Sequence, residues 1–303
     1  MSAAPEHSRT PAPPDAARRD WLALADQMLA RGDRAGADRA FGMHLQEASK
    51  DPVLMRAALA MGENRIPEAE ALLRGRLKQR PNDVAALRMM AELGARLARD
   101  DDSVMLLERC LQLAPGFRAA RQQYALMLNR AARPAEALQQ VELLLRTEPA
   151  NPAYRNLKAV ILCHVGEYEP AIVLYEALLA ERPHSRMWLS FGHTLKTAGH
   201  TERAIAAYRK ALQLEPGCGD ACWSLANLKT FRFEDAEVEA MRVQLARTDL
   251  PVEDRYQFEF ALGKALEDRG EYAESFAHYV EGNSQRRRTV SYNADENHER
   301  VQR

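Results

Sequence analysis

Along this chain of 303 residues, apolar side chains recur at the three-and-four spacing of a buried helix face, and one small residue returns at the same point in each block. Ala25, Ala57, Ala91, Ala125, Ala159, Gly192, Ala226 and Gly263 lie at spacings near 34. The clearest block runs Trp188, Phe191, Gly192 and Leu195 on one predicted helix, then Gly199, then Ala204, Tyr208 and Ala211 on a second, closed by Pro216. Two antiparallel helices cross closely only where one carries almost no side chain, and Gly192 and Ala204 supply that contact. Tyr208, four residues after Ala204 and on the same face, is expected to fill the gap to the next unit. Gly199 permits a left-handed turn between the helices, and Pro216 stops the second one.

This block follows the W-x2-L-G-x2-Y…A-x3-F…P signature and so resembles the tetratricopeptide repeat (TPR). The fold expected is all-α, a TPR superhelix (α-solenoid) of about eight helix-turn-helix repeats over residues 18–288. The first copy carries Trp21, Leu24, Ala25, Gly32, Ala37 and Phe41, close to a full match. Later copies keep fewer signature residues: Ala57, Ala69 and Leu73 in the second, and Ala91, Ser103 and Leu107 in the third. The seventh is irregular, because Leu225 and Ala226 are followed by Phe231-Arg232-Phe233 and a longer spacing. In the eighth, Glu259 stands where the pattern wants Trp.

Composition narrows the partner classes. A hydrophobic content of 46% with only 7% aromatic residues suits stacked helices, and a net charge of −1 gives no basic field for nucleic acid. Nothing approaches the run of about 18 apolar residues that a membrane span needs. Residues 1–17, with Pro5, Pro11, Pro13 and Pro14 and no secretory apolar stretch, read as a disordered leader, and the cytoplasm is the expected location. Cys110, Cys163, Cys218 and Cys222 show neither disulfide spacing nor a complete metal-ligand set, and read as structural residues.

No phosphate loop, nucleophile elbow or H-E-x-x-H motif is present, so no catalytic residue, metal ligand or cofactor is assigned. Asp100-Asp101-Asp102 reads as the acidic first turn of a helix, where carboxylates complement the exposed backbone N–H groups. Binding is expected on the concave wall, where solenoids present first-helix side chains. With the small residue counted as position 8, positions 2, 5, 9, 12 and 13 tend to face that wall in the TPR family. They place Asn156, His193, Lys196, Trp223, Asn227 and Lys264 there as the candidate groove for a protein or peptide. Trp223 and Phe260 would form an apolar patch needing cover. The carboxylate clamp of chaperone-binding TPR proteins wants Lys at position 5 and Asn at position 9, and no repeat here has both. The asparagine ladder of O-GlcNAc transferase repeats is replaced by Leu157, Ser190 and Ser224.

Three longer strings carry a further resemblance: Phe191–Gly199, Trp223–Phe233 and Phe258–Asp268. With Tyr279, Gly282-Asn283 and Arg286-Arg287-Arg288, they are similar to the repeat region of bacterial TPR-containing sulfotransferases. In that family a catalytic domain with a Gly-x-Pro-Arg-Ser-Gly-[ST] loop for the sulfonate donor follows the repeats, and no such loop occurs here. The resemblance therefore implies a recognition role rather than catalysis. Asn293-Ala294-Asp295-Glu296 reads as a helix start, so residues 289–303 are expected to open a further domain. A free-standing TPR adaptor unrelated to sulfation is the alternative, and a transferase in its own right a third. Partners expected are proteins or peptides, not nucleic acid or membrane.

Overall fold

The structure is a computed structural model, and it describes residues 20–290 and His298. The leader expected over 1–17 and the segment from residue 291 onward, His298 apart, lie outside the described residues. The described chain is all-α, sixteen helices in eight consecutive pairs. In chain order these are α1 (Trp21–Ala30), α2 (Arg34–Ala48), α3 (Pro52–Gly62), α4 (Ile66–Gln79), α5 (Val84–Arg96), α6 (Asp100–Leu113), α7 (Arg118–Arg130) and α8 (Pro134–Thr147). They continue with α9 (Pro152–Val165), α10 (Tyr168–Glu181), α11 (Ser185–Thr197), α12 (Thr201–Leu214), α13 (Gly219–Ala226), α14 (Asp235–Leu245), α15 (Val252–Asp268) and α16 (Tyr272–Thr289).

Local chemistry sets the helix ends. Asp51 and Asn151 each accept two backbone N–H bonds at an N-terminus, followed by Pro52 and Pro152 in the first turn. Asp100, Asp101 and Asp102 form the acidic first turn of α6, as expected. Between the helices of every pair except α13–α14 the chain passes through the left-handed region. Gly199 does so at φ 89°, while Ala98 and Ala132 are forced into it at φ 55° and 57°.

The crossing within each pair is as tight as the small residues require. All eight are buried. A Cβ placed on Gly192 would lie 2.5 Å from Cε1 of Tyr208, a fully buried ring. Tyr208 thus packs on the glycine of its own hairpin, while its hydroxyl meets Ser224 of the next one. Where serine replaces the facing alanine, its hydroxyl donates to the small residue's carbonyl: Ser103 to Ala91 at 2.9 Å, and Ser275 to Gly263 at 2.7 Å.

The described chain divides into two compact units between residues 149 and 150. In the first unit α3–α8 stack hairpin on hairpin, but the α1–α2 hairpin packs differently. Helix α2 meets α5 and α6. Asp38 accepts from the Gly116 N–H, and Leu45 and Ala48 pack on the cluster that holds Leu54, Ala85 and Met89. Asp83 is the centre of this joint and is fully buried. It caps α5 through the Ala85 and Ala86 N–H groups and takes His44 Nε2 at 2.9 Å and Arg76 Nε at 2.7 Å. Burial pushes its carboxyl up, but His44, Arg76 and the Ala86 N–H together hold it below the usual carboxylate range.

In the second unit the irregularity at the seventh hairpin is resolved. Helix α13 stops after eight residues, and the chain turns through 227–234 before α14 begins at a capping box made by Glu234 and Glu237. Phe231 is buried there, edge-on to Phe233 at 4.9 Å and beneath the Arg209 guanidinium. Glu259, the departure from the pattern in α15, is a buried acid that accepts from His278 Nδ1 on α16 at 2.6 Å.

Candidate functional site

The candidate residues of the second unit lie on its first helices, α9, α11, α13 and α15. Helix α11 presents Arg186, His193, Lys196 and Thr197 to solvent while Phe191, Gly192 and Leu195 are buried. His193 is held by one hydrogen bond and lies near a carboxylate. Its Nδ1 lies 3.0 Å from the Tyr208 hydroxyl, and its Nε2 lies 3.9 Å from Asp220 Oδ1 at the start of α13. Burial, with the Lys196 ammonium nearby, lowers the imidazole below its ordinary value against the pull of Asp220, so near neutral pH it is an uncharged donor–acceptor. Lys196 is exposed and makes no ion pair among the described residues.

Next to this polar cluster is the aromatic one. Trp223 on α13 is half-buried, with its ring 5.3 Å from Phe260 on α15, and Tyr256 stands edge-on to Phe260 at 6.2 Å. Phe260 itself is buried, its ring filling the space a Cβ on Gly282 of α16 would take. The expected two-ring patch therefore shows solvent mainly the edge of Trp223, and Phe260 serves as its support.

The remaining candidates fall at the margins. Asn227 is exposed at the C-terminus of α13 and donates its side-chain amide to the Trp223 carbonyl at 3.0 Å. Lys264 is paired with Asp268, which also takes Arg232 at 3.3 Å. It is thus a fixed charge in a three-residue network. Asn156 is half-buried on α9, and on the same helix Cys163 Sγ lies 3.2 Å from Thr194 Oγ1 of α11. Tyr208 and Arg232 were not among the groove residues expected. Asp220, at position 2 of its repeat, is on the wall by the same register as Trp223; Arg232 had no such signal, because a loop outside the repeat pattern delivers it.

The cysteines are built into the packing. Cys110, Cys218 and Cys222 are buried and Cys163 half-buried, and burial pushes the Cys110 thiol up to about 12. Among the described residues no group of three or more His, Cys, Asp and Glu side chains is arranged to hold a metal ion, and no helix is long and apolar enough to cross a membrane.

A tetratricopeptide-repeat family model matches residues 185–218, the hairpin α11–α12 with its following turn. No curated protein matches the chain. Among solved structures, a tetratricopeptide repeat protein from Parabacteroides merdae ATCC 43184 is similar over 91% of this chain and 94% of its own, at 13% identity and a TM-score of 0.53. YrrB, described as a TPR protein with an unusual peptide-binding site, is similar over 62% of this chain and 98% of its own, at 18% identity and a TM-score of 0.48. MamA AMB-1 is similar over 55% of this chain and 99% of its own, at 20% identity and a TM-score of 0.49. The fold is thus an α-solenoid of tetratricopeptide type.

Proposed function

We propose that this protein is a non-catalytic adaptor that captures a protein or peptide segment on the first-helix wall of its second unit. The observation that carries the reading is the pairing of a fixed polar cluster with a supported aromatic edge on consecutive first helices. His193 is hydrogen-bonded to Tyr208 with Asp220 nearby, Lys196 offers an unpaired cation, and Trp223 rests on Phe260. Large aromatic anchors backed by buried side chains, with a charge beside them, are the usual energetic centres of protein recognition. The partner chemistry that fits is an acidic segment carrying an apolar anchor, with its carboxylate on Lys196 and its anchor on Trp223. The strings shared with sulfotransferase repeats support a narrower reading, in which the adaptor works beside a sulfate-transferring domain. That reading rests on sequence alone, and the free-standing adaptor needs no further assumption.

Selection of a random peptide display library on the protein tests the proposal. Recovered peptides should be rich in Asp or Glu next to an aromatic or aliphatic residue. Their binding should fall at least about tenfold, roughly 1.4 kcal/mol, in Lys196→Glu and again in Trp223→Ala. Both variants should keep the helical circular dichroism of the parent. Peptides that bind the two variants as tightly as the parent would rule this wall out.

A further inference from the structure

Among the described residues the stacking face of α3 and the outer face of α16 are both largely uncovered, and they are the two halves of one joint. On a first helix, the residues two before and two after the small residue face the preceding hairpin. On α5 these are Met89 and Leu93, buried together with Leu72 and Leu77 of α4. On α15 they are Ala261 and Ala265, buried with Val238 and Met241 of α14. On α3 the same positions hold Met55 and Leu59, and they are 54% and 57% exposed. The cause lies in the fold: the hairpin that should cover them, α1–α2, is anchored by Asp83 to the ends of α5 and α6 instead.

The converse face is on α16. The residue after the small position of a second helix is covered where another hairpin follows: Val104 on α6 and Ile172 on α10 are buried, and Leu138 on α8 and Ile205 on α12 half-buried. On α16 that residue is Phe276, 69% exposed, flanked one turn either side by Tyr272 at 70% and Val280 at 51%. Three large apolar side chains on one stripe, with nothing among the described residues over them, exceed what a solvated helix needs.

We infer that α16 of one copy of this chain packs on α3 of a second copy, repeating between molecules the second-helix to first-helix joint that α4–α5 and α6–α7 make within one. The borders agree in charge, with Arg56 exposed beside Met55 and Glu281 exposed beside Val280. Because donor and acceptor faces differ, the contact is heterologous, and unless it closes into a ring it propagates as an open head-to-tail chain.

The test is sedimentation of the whole protein and of two variants, Leu59→Glu and Phe276→Glu, alone and mixed. The parent should grow beyond a dimer as concentration rises. Each variant alone should stay monomeric with unchanged helicity, since both side chains are on the surface. An equimolar mixture should form dimers and stop there, because the intact α16 of the Leu59→Glu copy meets the intact α3 of the Phe276→Glu copy. A parent that is monomeric throughout overturns the inference. So does association that survives in either variant, and so does a mixture that remains monomeric, which would point to a symmetric contact instead.

Discussion

Asp83 shows how one side chain can decide where a whole hairpin goes. A carboxylate removed from water is tolerable only when its oxygens are filled, and here two backbone N–H groups, His44 and Arg76 fill them. Replacing Asp83 by Ala strips the α5 cap and the partner of His44, while Arg76 keeps Asp51 at 3.0 Å, so we expect a loss of about 1–3 kcal/mol in chemical denaturation. The pH dependence has a definite sign. A carboxyl held below its unfolded value stabilises the fold above that value, about 3.9, and loses the contribution as pH falls through the lower folded one. The acid limb of a pH–stability curve should therefore be shallower in Asp83→Asn than in the parent, and equal limbs would remove Asp83 from this account.

At the scale of elements, the hairpin is the unit that the sequence encodes. Gly192, Ala204 and Gly199 act within one pair of helices, and every pair they or their counterparts mark is present. Intra-hairpin geometry was legible because its requirements are absolute: a Cβ on Gly192 has no room. The stacking of one hairpin on the next was less legible. The first copy matches the signature closely, yet α1–α2 leaves the stack, because the residues that redirect it, His44 and Asp38, lie outside the signature and act on partners 39 and 78 positions away. The register told exposed Lys196 and Asn227 from buried Phe191 and Leu195, whereas the pairing of Lys264 with Asp268 and the retreat of Phe260 beneath Trp223 depend on neighbours that no spacing reveals. Turn residues give a prediction at this scale. Ala132 sits at φ 57°, a conformation that costs an L-residue roughly 1–2 kcal/mol and glycine much less. Ala132→Gly should raise the unfolding midpoint, part of the gain being offset by the greater freedom of glycine in the unfolded chain, and a lowered midpoint would contradict the strained turn.

For the whole molecule, the balance of 42 basic and 43 acidic residues leaves no long-range field to select a partner, so recognition has to be local. The place where chemistry is concentrated is the strip from His193 and Lys196 to Trp223. The second helices on the other side of the same hairpins offer a different surface, a cleft of about 500 Å³ lined by Arg209, Leu212, Phe233 and Met241. The two surfaces can be told apart in one experiment. A peptide selected on the protein is added at saturation, and amide hydrogen exchange is followed along the chain. Slowed exchange confined to α11, α13 and the turn through 227–234 is the result predicted here. Slowing on α12 and α14, with the first helices unchanged, would contradict it.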